Sequence, residues 1–480
     1  MRITCELKNQ DKPNIFFLEE GCSFEALPFS KELELMVSQG LYDNKHGEIE
    51  KITCFKGESV ETYLAVGLGK KEDLSAYKYK NLVAKIIEKA KASKMKQLQV
   101  ALVEGIGISL EMQLKYWVDV TYDITYVFDK YKTEKTEPWL ETLVIMNQGL
   151  ENTLEEAVAL AESKKIAKTL VNEPANFMMP LDLAGFAKTM DGNNGLEVEI
   201  YDEKKILELG MHAYIAVAKG SSHPYRFIVM RYMGNPENQE ILGLVGKGLT
   251  YDSGGYSIKP TSSMQYMKSD MGGAAAVIGA MDGISKRQLK VNVVAVVAAC
   301  ENCISGTCYK PGDIIYTMAG KTIFVNNTDA EGRLTLVDAV HYVIDQEKAT
   351  KIVDIATLTG GVVSALGHYT SGIVSNNDEF YSVLAGVSQS TDEPIWRYPM
   401  APEYEEMIKA KEADLVNSVG ANASTLTAGL FIKNFVQDRP WIHIDIAGTA
   451  YYDKKEGYRN QGATGEGVYN LYALAKALAQ

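Results

Sequence analysis

Two short stretches concentrate the reactive side chains of this sequence. The first runs Lys247-Gly-Leu-Thr-Tyr-Asp252-Ser-Gly-Gly-Tyr-Ser-Ile-Lys259-Pro and continues shortly after as Met267-Lys-Ser-Asp270-Met-Gly-Gly. Two lysines and two aspartates thus flank glycine turns, where the backbone can approach a ligand closely. The second is Asn326-Asn-Thr-Asp329-Ala-Glu331-Gly-Arg333. Residues two apart on extended chain share a side, so Asp329 and Glu331 point together.

Four carboxylates gathered at neighbouring strand ends repel one another and need cations or raised pKa values. A pair of divalent metals meets that need, and two such ions can activate one water and clamp both oxygens of a tetrahedral intermediate. Carboxylates suit zinc, manganese or magnesium. A lysine ligates only as a free amine, and burial beside cations moves its pKa in that direction. Any one of these residues alone reads as a surface charge on a loop, the usual fate of Asp, Glu and Lys. Their joint spacing after two apolar runs outweighs that reading.

The elements that must position them follow from pattern. Through about residue 150, strand-like TYLAVGLG and KQLQVALVE flank the lysine-rich helical stretch NLVAKIIEKAKASKMK, a β-α-β arrangement. Gly67-Leu68-Gly69-Lys70 lacks the spacing of a phosphate loop and reads as a strand-ending turn. Residues 151–171 carry acids early and lysines late, as an amphipathic linking helix does. NEPANFMMP then stops it. Beyond Leu181, apolar strand candidates (AYIAVAK, RFIVMRYM, ILGLVG, VNVVAVVAA, KTIFV, KIVDIATL, WIHIDIA) alternate with helical segments. Runs apolar throughout imply strands covered on both faces, and ligands in such sheets sit beyond the strands' carboxyl ends. The expected fold is α/β. A smaller N-terminal α/β domain (1–150) and a linker helix (151–171) precede a larger catalytic α/β/α sandwich (172–480) with a mixed, largely parallel sheet.

Composition narrows the function classes. With 480 residues, 46% of them apolar, the chain exceeds what one core comfortably serves. Its net charge of -13 disfavours nucleic acid and anionic membranes. Neither a leader-like amino terminus nor a membrane-length apolar run is apparent, so a cytoplasmic location is expected. The six cysteines are too sparse for a disulfide scaffold, and Cys300, Cys303 and Cys308 find no fourth thiol or nearby histidine to complete a zinc site. The six histidines, His46, His212, His223, His341, His368 and His443, show no metal-binding spacing.

NTDAEGRL (327–334) and GKGLTYDSGGYSIK (246–259), with NEPAN, SDMGGAAAV, ATLTGG and HIDIAGTA in order, are the residues in which the chain resembles the leucine aminopeptidase, or cytosol aminopeptidase, family of dinuclear metallopeptidases. The resemblance extends from about Ala167 to the end and is weaker before it. It implies that Lys247 and Asp270 ligate one metal, which also receives the substrate's amino group. Asp252 and Glu331 would bridge both metals, and Asp329 would hold the other. Lys259 would stabilise the oxyanion, and Arg333 would position a bicarbonate that accepts a proton, roles for which a preorganised cation and a planar guanidinium are suited. Met267, Thr357, Leu358 and Gly360 would line the pocket for the first side chain. Tyr251 stands where the family often has Phe, which adds a hydroxyl beside the ligands.

The implied function is hydrolysis of the first bond of peptides with a free amino terminus, leucine and other apolar first residues being preferred, in a homohexamer whose sites face an interior space. Two other readings compete. Asp252-Ser-Gly-Gly echoes a serine-protease nucleophile, but no His or Asp partner is nominated and the chain is not a disulfide-bonded barrel. A catalytically silent scaffold or DNA-binding regulator is opposed by the intact motif positions and the acidic charge.

Overall fold

The computed structural model of the protein describes residues 1–5 and 12–479. It divides into two compact units, Met1–Ala161 with Lys454–Asn460, and Glu162–Asp453 with Gln461–Gln480.

In the first unit the strands are β1 (Arg2–Thr4), β2 (Ile15–Glu19), β3 (Ile49–Lys56), β4 (Ser59–Gly69), β5 (Gln97–Val100) and β6 (Thr142–Ile145). They form one sheet in the order β1-β6-β5-β2-β4-β3, parallel except for the β3–β4 hairpin. The helix Ala76–Ala92 packs its apolar stripe, including Leu82, Val83, Ile86 and Ile87, into the core beside the sheet. Ser75 caps it by accepting from the Lys78 amide, and Lys89 and Lys91 in its last turn suit the helix dipole. The helix Glu151–Asn172 runs from this unit into the second.

The second unit contains β7 (Leu196–Tyr201), β8 (Arg226–Met233), β9 (Ile241–Asp252), β10 (Asn292–Asn302), β11 (Ile314–Tyr316), β12 (Thr322–Phe324), β13 (Lys351–Ala356), β14 (Ser371–Ser375), β15 (Ile395–Arg397), β16 (Leu415–Val416) and β17 (Trp441–Asp445). Eight of these make the main sheet, β15-β14-β17-β13-β9-β10-β8-β7. Its centre, β17-β13-β9-β10, is parallel, while β8, β7 and β14 pair antiparallel. Every residue of β10 is buried, as expected of a strand covered on both faces. Val294, Val296 and Ala298 face a cluster that includes Leu336 and Val340 of the helix Gly332–Asp345. The helix Gly272–Lys286, buried along almost its whole length, packs on β9, β10 and β13.

Two sequence expectations change. AYIAVAK folds as the helix His212–Ala218, not as a strand. A short run apolar on every side does not reveal its period, and here the helix buries Tyr214 and Val217 completely. KTIFV does form a strand, β12, but in a separate small sheet β11-β12-β16.

Candidate metal centre

The sheet's chemistry collects at the carboxyl end of β9. Lys247 lies within the strand and Asp252 is its last residue. Gly254 and Gly255 then turn the chain at φ +85° and +63°, a region that favours glycine, and Lys259 returns toward the strand end. Asp270 sits in the 3-10 turn Met267–Met271 that leads into the helix Gly272–Lys286. Asp329 and Glu331 follow β12, and Glu331 immediately precedes the helix Gly332–Asp345, whose positive N-terminal end favours carboxylates.

These groups converge. Lys247 Nζ lies 2.9 Å and 2.8 Å from the two oxygens of Asp270 and 3.0 Å from Glu331 Oε1, and it donates to the Thr357 carbonyl at 2.9 Å. Lys259 Nζ lies 2.8 Å from Asp252 Oδ2 and 2.5 Å from Asp329 Oδ1. Lys247 and Glu331 are almost wholly buried, at 3% and 2% side-chain exposure, while Asp329 keeps 32%. Asp252, Asp329 and Glu331 each bring one oxygen within 4.8 Å of the others.

Four carboxylates against two lysines leave a formal charge of -2 in a largely buried space that opens to solvent at Asp329. Burial, reinforced by Asp252, pushes the Glu331 carboxyl up to about 8. Burial raises Asp270 to about 6 even though Lys247 opposes it, and raises Asp329 against the pull of Lys259. Burial would lower both lysines, but the surrounding carboxylates outweigh it and hold them well above the ordinary amine range. Burial lowers Arg333 to about 10.

Such a nest fits divalent cations on its own evidence. Glu331 Oε2 is buried and accepts no hydrogen bond among the described residues. Asp270 Oδ2 and Asp329 Oδ1 lie near lysine ammonium groups but accept no aligned hydrogen bond. Acceptor oxygens left without donors in a buried, net-negative space are what hard cations bind.

Arg333, 6% exposed, donates through Nη1 to the Asn417 carbonyl at 2.8 Å, and its Nε has no partner among the described residues. Met267 and Leu358 are half-buried and Gly360 is exposed. Thr357, read from sequence as pocket lining, also donates its hydroxyl to Asp270 Oδ1 at 2.8 Å. Its hydroxyl and carbonyl therefore hold both Asp270 and Lys247.

Several supporting residues escaped the sequence reading. Asn417 accepts from the Asn326 and Asn327 amides (2.8 and 3.3 Å) and donates to the Asn327 carbonyl (2.6 Å), fixing the start of the loop that carries Asp329. Thr328 Oγ1 donates to the Gly254 carbonyl (2.7 Å) and accepts from the Ser257 amide (2.8 Å), which ties that loop to the turn after β9. Asp445, at the end of β17, accepts from the Leu358 amide and the Thr359 hydroxyl. Neutral Asn and Thr in loops carry no distinctive spacing; only their position between charged motifs marks them.

Comparison with known proteins gives a consistent result. Two family descriptions match: "Cytosol aminopeptidase family, catalytic domain" over residues 165–472, and "Cytosol aminopeptidase family, N-terminal domain" over residues 24–135. A probable cytosol aminopeptidase of Clostridium perfringens (strain 13 / Type A) is 45% identical over 470 residues, covering 96% of this chain and 95% of the relative. One from Clostridium tetani (strain Massachusetts / E88) is 46% identical, covering 90% and 91%. Among solved structures, the bottromycin maturation enzyme BotP in complex with Mn superposes with a TM-score of 0.86 at 27% identity, covering 98% of this chain and 100% of that one.

Proposed function

The chain belongs to the cytosol aminopeptidase family and is a peptide-bond hydrolase; from that premise we propose that it removes the first residue of peptides with a free amino terminus, favouring leucine and other apolar residues, at a two-metal centre. The observation that carries the proposal is the nest of Asp252, Asp270, Asp329 and Glu331, in which Asp270 Oδ2, Asp329 Oδ1 and Glu331 Oε2 accept no hydrogen bond among the described residues. Lys247 and Asp270 would hold one divalent ion, Asp329 the other, and Asp252 and Glu331 both. Zinc, manganese and magnesium suit these donors, and BotP, a relative by structure, is known with Mn. When bound, the two ions supply an activated water and a Lewis acid for the scissile carbonyl.

The chain's own groups have the remaining work. Lys247 would have to lose its proton to solvent before its amine could ligate a cation, and the neutral amine still carries hydrogens that can donate to the Thr357 carbonyl. Lys259 stays charged and, once released from Asp252 and Asp329, donates to the oxyanion that develops on the attacked carbonyl. Arg333 has an unpartnered Nε on a buried guanidinium, suited to a planar bicarbonate that takes up a proton. Met267, Thr357, Leu358 and Gly360 would contact the first side chain, Met267 as an adaptable apolar wall.

We also assign catalysis to the domain from residue 172 onward, the first 150 residues to a separate domain, and the whole to a homohexamer in the cytoplasm. Family likeness supports the assembly, the relatives' names support the location, and among the described residues no helix is long and apolar enough to cross a membrane.

The direct test is to strip the protein with chelator, assay amino-acid anilides, and restore zinc or manganese. Activity should vanish and return with metal, leucine anilide being the best substrate. Full activity in the stripped protein would overturn the two-metal reading.

A further inference from the structure

β10 ends at Asn302, which is completely buried. Its pairing with β9 carries a register shift between Cys300 and Glu301, and this irregularity sets Asn302 opposite Asp252. The side-chain amide donates both to Asp252 Oδ1 at 2.8 Å and to the Thr328 carbonyl at 3.0 Å. The Asn302 main-chain carbonyl meanwhile accepts from the Ser253 amide (3.0 Å) and hydroxyl (2.8 Å). One residue therefore bonds the carboxylate that ends β9 and the loop that presents Asp329 and Glu331.

The effect on Asp252 is specific. Its Oδ1 accepts from both Gly254 N and Asn302 Nδ2, each at 2.8 Å, while Oδ2 faces Lys259. Two donors on one oxygen fix the rotation of the carboxylate and keep Oδ2 turned into the nest.

Asn302 also carries a cost that a purely structural residue would not. Its Oδ1 is buried and finds no donor among the described residues, an omission that destabilises a fold because the desolvated acceptor is not repaid. The two acceptors it serves have other donors: Thr328 O also accepts from the Tyr309 hydroxyl at 2.8 Å, and Asp252 Oδ1 retains Gly254. Stability alone would be served as well by an apolar side chain of the same size.

We propose that Asn302 is a positioning residue of the metal centre, orienting Asp252 and joining the two ligand-bearing loops so that their carboxylates meet. The proposal rests on the reading of Asp252 and Glu331 as metal ligands. An aspartate at 302 would set an acceptor against an acceptor, and glutamine is too long for a side chain with no exposure.

The test measures, on the full chain, the calorimetric affinity for manganese and the metal-free melting temperature of Asn302→Leu, with Glu331→Gln as the control. Positioning predicts manganese affinity weaker by about 10–100-fold, a melting temperature of the metal-free variant equal to or above that of the parent, and kcat reduced at saturating metal with KM little changed. If Asn302→Leu fails to fold, Asn302→Ser, which is too short to reach Asp252, must show the same loss of affinity. Parental manganese affinity in the folded variant overturns the proposal. If Glu331→Gln also binds manganese like the parent, it is the ligand assignment that has failed; if Glu331→Gln loses the metal and Asn302→Leu does not, only the role of Asn302 has.

Discussion

At the carboxyl end of β4, Gly67-Leu68-Gly69-Lys70 opens onto a surface cavity of about 210 Å³ lined by Lys45, His46, Lys70 and Lys78 with Glu20 and Asp73. At the carboxyl end of β9, Gly246-Lys247 and the turn after Asp252 lead to the acid nest. Both places combine a parallel strand, glycines and lysines. In the first, the lysines remain hydrated: Lys45 pairs with Asp43 at 2.7 Å with both side chains more than half exposed, and Lys78 donates to the Asp73 carbonyl. In the second, Lys247 is sealed among carboxylates. An ion pair at 4 Å is worth ~1 kcal/mol in water and ~4 kcal/mol at an effective dielectric constant of 20. Equal charges thus do little at β4 and dominate at β9, and the difference lies in what covers the strand end.

The largest expected break is Glu331→Gln. It should abolish metal binding and reduce activity to that of the chelated protein, while leaving the metal-free fold intact. The reason is that burial already pushes this carboxyl up from its ordinary 4.5 to about 8. Between those values the folded state binds more protons than the unfolded chain, so metal-free stability should fall as pH rises across that window. Glu331→Gln, lacking the titrating group, should show a shallower decline. Thermal melts of both chelated proteins from pH 5 to 8 measure it, and parallel slopes would contradict the account.

Next in size is the contrast between the nest's two lysines. Lys259→Ala should retain metal and lose ~10²–10³ in kcat, the scale of removing one preorganised oxyanion donor. Lys247→Ala should act first on metal affinity. Calorimetry beside steady-state kinetics separates them, and identical profiles would mean that the roles assigned to the inner and outer lysine are not distinct.

How much of this could be read beforehand depended on charge and covering. The β-α-β start, the buried parallel strands and the members of the nest stand out in sequence because charges beside glycine turns after apolar runs are unusual in combination. The helix His212–Ala218 does not stand out, since its six consecutive apolar residues fit either period. Asn302 and Asn417 do not either: a single amide at the end of a strand or in a loop gains meaning only when its partners, 50 and 90 residues away, are in place. Thr357 illustrates the same limit, since its position suggests a pocket wall while its hydroxyl reaches Asp270.

The smallest effects test the β4 side of the comparison. Gly246 has Ala274 Cα 2.7 Å and the Gly273 carbonyl 2.8 Å from where a Cβ would stand, so Gly246→Ala must push the helix Gly272–Lys286 off the strand. Overpacking of that kind costs ~1–3 kcal/mol, and because Asp270 lies in the turn that leads into that helix, activity should fall with the melting temperature. Gly67 is as tightly placed, the Lys45 carbonyl oxygen lying 2.2 Å from where a Cβ would stand. Its neighbour, however, is an exposed loop that carries none of the nest, so Gly67→Ala should lower stability and leave kcat unchanged once folded. Lys70→Ala, on a hydrated side chain with no burial to amplify its charge, should change stability by less than ~0.5 kcal/mol and kcat not at all. A Lys70→Ala variant with impaired turnover would show that the exposed lysines at β4 bear on catalysis, and would remove burial as the property that separates the two strand ends.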